Sequence, residues 1–194
     1  MTPIRLLVGL GNPGQAYVST RHNTGQSCIQ SFATQAGIKL KHQPKLHAST
    51  GKLPNGCLIA IPDCYMNDSG IAVQAVLHYY KMPLASCLIV YDECDLPIAQ
   101  ARLKWGGQSS HNGVIDIVSK VHSDAFWRLR LGIDRPIKPV RMKDYVLGRL
   151  SPSTLQAQSD LYKQLYTSVD LLADGLFEQW MNVWHVKVAA GSID

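Results

Sequence analysis

The chain is predicted to be a single-domain α/β protein, an α/β/α sandwich around a central mixed, largely parallel twisted sheet. Short apolar runs of strand length, Ile4–Leu10, Leu58–Pro62 and Cys87–Tyr91, alternate with helical stretches, the pattern of strands joined by crossover helices. The runs end in loops marked by Gly, Asn or Asp, and open α/β sheets bind ligands at that rim. A length of 194 residues at 46% hydrophobic content suits one core, so residues 1–194 are expected to form one domain.

The elements follow in chain order. Ile4–Leu10 is the first strand, and Gly9, Gly11 and Gly14 punctuate the loop after it. A helix over Gly25–Ala36 is stopped by Gly37. Extended segments follow at about His47–Leu53 and Cys57–Ile61. The loop from Tyr65 to Gly70 opens a helix over Ile71–Lys81, which Pro83 ends. Leu88–Tyr91 is a buried strand running into Asp92, Glu93 and Asp95. Alternation through Ala99, Ala101, Leu103 and Trp105 predicts another strand, closed by Gly106 and Gly107. His111, Asn112 and Gly113 start a helix along Val114–Val121, and Trp127–Ile133 returns as a strand with Arg128 and Arg130 on one face. From Ser151 to about Val188 the periodicity is helical, broken at Gly175.

The first loop carries the most chemistry. Asn12, Arg21, His22 and Asn23 arrive within a dozen residues at one rim of the sheet. Gly9, Gly11 and Gly14 formally match a dinucleotide fingerprint, but the rest of that signature is missing. No acidic residue precedes Asp63 to hold ribose hydroxyls, and Pro13 removes an N–H from the loop that should cradle the pyrophosphate. Asn67, Asp92 and Asn112 sit in later loops of the same kind and are expected to gather with Asn12 and His22. Helix capping is the alternative for Asn67 and Asn112, and the spacing alone does not choose among Asp92, Glu93 and Asp95.

The net charge of +5 is unevenly placed. Arg5, Arg21, Lys39, Lys41, Lys45 and Lys52 stand in the first 62 residues with no acid among them. Such a field favours a polyanionic partner, although charge alone also fits a solvated basic face. Cysteines 28, 57, 64, 87 and 94 form no C-x-x-C pair, and no Cys/His spacing suggests a metal site or a disulfide framework. No run is long enough to cross a bilayer and no signal-peptide core opens the chain, so a cytoplasmic location is expected.

The blocks VGLGNPGQAY, TRHNTG, CYMNDSG, VYDECDLP, SSHNG and FWRLRLGI, in order over roughly the first 150 residues, resemble the bacterial peptidyl-tRNA hydrolase family. The resemblance implies a monomeric enzyme without metal or other cofactor, needing no protein partner and no membrane, that cleaves the ester between a peptide and the terminal ribose of tRNA. It implies His22 as base with Asp92 as its partner, Asn12, Asn67 and Asn112 as substrate-binding amides, and Tyr17 and Tyr65 lining the site. Arg102 and Arg130 match positions resembling a clamp on the tRNA 5′ phosphate, and the helices from about residue 152, which match the family only loosely, would pack on the domain, where the family often uses them as a lid over the peptide channel. The chain departs from the family at Gly106–Ser110, where a longer, more glycine-rich loop with an extra histidine is usual. The chemistry is coherent without a metal: a water deprotonated by His22 attacks the ester, Asp92 fixes the ring's tautomer, and asparagine amides donate to the carbonyl. No G-x-S-x-G elbow supports an acyl-enzyme. A nucleotide-dependent oxidoreductase and a non-catalytic RNA-binding module are the competing readings.

Overall fold

A computed structural model of the chain describes residues 1–185. Among these residues seven strands form one sheet: β1 (Leu6–Gly9), β2 (Lys41–Gln43), β3 (Ala48–Lys52), β4 (Leu58–Pro62), β5 (Cys87–Glu93), β6 (Ala101–Trp105) and β7 (Trp127–Gly132). Their order is β2-β3-β4-β1-β5-β7-β6. The four central strands β4, β1, β5 and β7 are mutually parallel, while β2, β3 and β6 add antiparallel edges. The sheet is mixed, as expected, with a parallel centre. For β2 and β3 the antiparallel pairing has a local reason: the connections from β2 to β3 and from β3 to β4 are too short for the crossover that a parallel pair requires.

Among the described residues seven α-helices complete the fold: α1 (Thr24–Gln35), α2 (Ser69–Tyr79), α3 (Asn112–Val121), α4 (Met142–Val146), α5 (Pro152–Tyr166), α6 (Val169–Ala173) and α7 (Phe177–His185). Strand residues alternate between two apolar layers. Leu7, Ile59, Leu88 and Leu129 pack with Phe32, Leu161, Phe177 and Trp180 on one face; Leu6, Val8, Ala60 and Ile89 pack with Val73, Val76 and Ile117 on the other. The helical reading to about Val188 extends beyond the described residues; within them α7 is helical to His185, and Gly175, at φ +78°, makes the turn before it. Strand β2 and helix α4 were not anticipated, both being too short for periodicity to declare.

Among the described residues, the helices from Pro152 to His185 pack into the core and not over the loop rim. Leu161, Leu165, Leu172, Phe177 and Trp180 lie in the core layer against Trp127 and Leu129, and the Trp127 and Phe177 rings stack with centroids 4.3 Å apart. Their apolar stripes are needed beneath the sheet, which leaves the rim to other segments.

Candidate active site

The parallel strands deliver their carboxyl ends to one rim, and the site assembles there. Beyond β1 the chain turns through Gly11, Asn12 and Pro13, then passes through short 3-10 turns at Gln15–Tyr17 and Arg21–Asn23 before α1 begins at Thr24. A dinucleotide loop would open its helix at Gly14, so this architecture also argues against that reading. Two glycines bring α1 close to the sheet. A Cβ on Gly25 would lie 2.1 Å from the Val90 carbonyl oxygen, and one on Gly9 would lie 2.4 Å from that of Gly25. The Leu10 N–H donates to Val90 and the Gln26 N–H to the Leu10 carbonyl, which sets His22 against the end of β5.

At that end Asp92 remains within the strand, in register with Leu131, and is 4% exposed. His22 Nδ1 lies 3.0 Å from its Oδ1 and 3.1 Å from its Oδ2. His111, the residue before α3, brings Nε2 to 2.9 Å from the same Oδ1. Burial raises the Asp92 pKa, but the charge and hydrogen bond of His111, with those of His22, outweigh it and hold the carboxyl below the usual carboxylate range. The neighbouring acids are engaged elsewhere: Glu93 accepts from Arg130 and Asp95 from Arg135. That division of partners answers which of the three carboxylates serves His22.

A cavity of about 620 Å³ opens over this pair, and Asn12, Tyr17, His22, Tyr65, Asn67, Asp92 and Asn112 all line it. Neither Asn67 nor Asn112 caps a helix: Asp68 and His111 occupy the N-cap positions, and no side chain there bonds the helix N–H groups. The Asn12 side-chain oxygen accepts from the Met66 N–H at 2.8 Å. Tyr17 meets Tyr65 edge-on, with centroids 6.2 Å apart, at the cavity mouth. Residues not singled out as site residues in the sequence also contribute, including His111, Met66 and, from the α4 region, Arg135, Met142, Lys143 and Leu147. The Ser-Ser-His-Asn-Gly block carried the signal for His111, one residue before the asparagine singled out there.

Arg102 and Arg130 stand apart from the cavity. They face each other across β6 and β7, as do Lys104 and Arg128. Arg130 donates to Glu93, itself a cavity residue, at 2.8 Å, and Arg102 donates to the His185 carbonyl at 2.9 Å. Arg128 is fully buried beneath the Gly106–Ser110 loop and donates to the Gln108 carbonyl at 3.4 Å.

Among the described residues, the His22, Asp92 and His111 donor atoms all lie within 4.8 Å of one another. Both imidazoles, however, direct a ring N–H at one carboxylate oxygen, and a nitrogen that donates a proton there offers no lone pair to a cation. The arrangement is that of a hydrogen-bonded carboxylate with two imidazoles. Cys94 also lines the cavity, but burial pushes its thiol up to about 11, which leaves little thiolate for nucleophilic attack at neutral pH.

A buried histidine–carboxylate pair under carboxamides, on the carboxyl rim of a mixed sheet, places the protein among hydrolytic enzymes of α/β architecture. The family model described as peptidyl-tRNA hydrolase matches residues 6–191. The chain is 39% identical over 190 residues to the peptidyl-tRNA hydrolase of Marinomonas sp. (strain MWYL1), covering 95% of this chain and 98% of that one. It is 41% identical over 191 residues to that of Saccharophagus degradans, covering 96% and 97%. A crystal structure of a point mutant of the Acinetobacter baumannii peptidyl-tRNA hydrolase superposes with a TM-score of 0.87 at 36% identity, covering 94% of each chain. The chain belongs to the peptidyl-tRNA hydrolase family and is a hydrolase.

Proposed function

We propose that the protein hydrolyses the ester between a peptide, or an N-blocked amino acid, and the 3′-terminal ribose of tRNA, with His22 as general base. The observation that carries this reading is the His22–Asp92 contact on the wall of an open cavity. With Nδ1 committed to Asp92, His22 keeps Nε2 for a water, whereas His111 commits Nε2 and buries Nδ1 without a partner. Asp92 stays ionised, fixes the tautomer and stabilises the imidazolium that forms when the water loses its proton. General-base assistance of this kind is worth roughly 10²–10⁴-fold. The proton then passes to the departing ribose hydroxyl as the tetrahedral intermediate collapses.

The carboxamides of Asn12, Asn67 and Asn112 donate to the ester and peptide carbonyls and to the developing oxyanion without adding charge. Tyr17 and Tyr65 flank the entrance as apolar walls for the terminal nucleotide or the peptide. Arg102 and Arg130 lie on one face of β6 and β7 and attract the phosphate end of the tRNA. Among the described residues no helix is long and apolar enough to cross a membrane. Action on tRNA in the cytoplasm, as a monomer, completes the reading.

The test is release of peptide from a purified peptidyl-tRNA, with and without EDTA, by wild type and His22→Ala. Turnover by wild type that survives the chelator and disappears in the variant is expected. Wild-type protein that binds tRNA without releasing peptide would instead favour the RNA-binding module.

A further inference from the structure

We propose that Asn23 is a positioning residue that determines substrate selectivity, holding Asn12 so that its carboxamide can only donate toward the ester. The inference rests on the function proposed above. Asn23 is 3% exposed and grips the Asn12 backbone at two points: its Oδ1 accepts from the Asn12 N–H at 2.9 Å and its Nδ2 donates to the Asn12 carbonyl at 2.9 Å. The second Nδ2 proton reaches Gln26 Oε1 at 3.2 Å. A flipped Asn23 would set NH₂ against N–H and oxygen against oxygen, so the backbone it holds dictates its orientation.

The same logic passes to the Asn12 side chain. The Met66 N–H can only donate, so it captures Asn12 Oδ1, and Nδ2 is left as the group available to the cavity. The turn has little room to adjust, since a Cβ on Gly11 would lie 2.4 Å from Gln26 Oε1 and 3.1 Å from Asn23 Cγ. Asn12 therefore presents N–H protons. Such a group welcomes a carbonyl or an oxyanion and repels an ammonium, which is the difference between a peptidyl ester and a free aminoacyl ester. Loosening the clasp lets the amide rotate and offer oxygen to the ammonium, so the distinction should weaken at Asn23 although Asn23 touches no substrate.

The experiment compares kcat and KM for N-acetyl-phenylalanyl-tRNA and phenylalanyl-tRNA in wild type, Asn23→Asp and Asn23→Ala, with Tm measured alongside. Asn23→Asp keeps the acceptor and loses the donor; Asn23→Ala loses both. Expected is a fall in kcat on the N-acetyl substrate of about tenfold for the aspartate and more for alanine, the scale of one or two lost hydrogen bonds, with KM little changed. Preference for the N-acetyl substrate should narrow in the same order. Gln26→Met, which removes only the third contact, should narrow it least and serves if the Asn23 variants do not fold. Equal losses on both substrates, with the preference intact in every folded variant, would overturn the role of Asn23. Absence of wild-type turnover on either substrate would overturn the proposed function itself.

Discussion

His22 and His111 approach Asp92 from distant parts of the chain and bring their rings to 4.9 Å between centroids, both directed at one carboxylate oxygen. In the proposed reaction it is His22 that keeps a nitrogen for the water, because His111 Nδ1 is buried. His22→Ala should lower kcat by roughly 10²–10⁴-fold and leave the Kd for peptidyl-tRNA nearly unchanged, because the imidazole acts in the transition state. His111→Ala removes one hydrogen bond from the carboxylate and should cost about tenfold at most. Single-turnover kinetics with filter binding separates the two, and the assignment fails if their order is reversed.

Asp92 also links the site to stability. Its folded-state pKa lies below the ordinary carboxylate value, so the stabilisation is complete above the ordinary value and is lost as the pH falls from there through the folded-state pKa. Urea unfolding at a series of pH values should show Asp92→Asn less stable than wild type at neutral pH, with the gap closing on acidification below about pH 4. A gap that widened in acid would mean that the carboxyl binds its proton more readily when folded.

Arg130 is partly neutralised before any RNA arrives, since Glu93 takes its Nε hydrogen bond at 2.8 Å. Glu93→Gln should lower KM for peptidyl-tRNA and steepen the salt dependence of binding, by up to about one unit of slope for one freed charge. Arg102→Ala with Arg130→Ala should flatten it. An unchanged slope in that double variant would remove the arginine pair from RNA binding.

Gly25→Ala probes the approach that places His22. The added Cβ would meet the Val90 carbonyl oxygen at 2.1 Å, and backbone cannot swing aside as a side chain can. Destabilisation of about 3 kcal/mol is expected, the upper range for overpacking, with activity at permissive temperature falling further than stability alone explains. Denaturant midpoints and kcat on one preparation test both parts.

Truncation after Leu150 should prevent folding, not merely open the cavity. It strips Leu161, Leu165, Phe177 and Trp180 from the layer that covers Trp127, Leu129 and Phe32. Loss of near-UV dichroism and of a cooperative urea transition is expected. A folded truncated chain with a more accessible site would restore the lid reading for these helices.

The central strands and the long helices were legible because their side chains obey one period and their ends carry Gly or Pro. Boundaries slipped where a polar residue remains in the ladder: Asp92 ends the apolar run but not β5, whose pairing continues through Glu93 to Gly132. Asn12, His22 and Asn67 were legible as polar groups at strand ends. His111 and Asn23 stood inside the same quoted blocks, but their roles lie in bonds to an aspartate far along the chain and to the backbone of a turn, which no local pattern records.

The sequence by itself determined the α/β class, the family and the loops that hold the chemistry, because periodicity and motif are properties of neighbouring residues. Only the tertiary structure decided that Asp92, which spacing alone could not choose over Glu93 or Asp95, meets His22, that α5 to α7 form core, and that the Asn12 side-chain oxygen is taken by the Met66 N–H. The physical reason is competition for partners. Each carboxylate, apolar stripe and amide had several satisfactory uses locally, and burial assigned one to each only when the parallel strands brought their ends together.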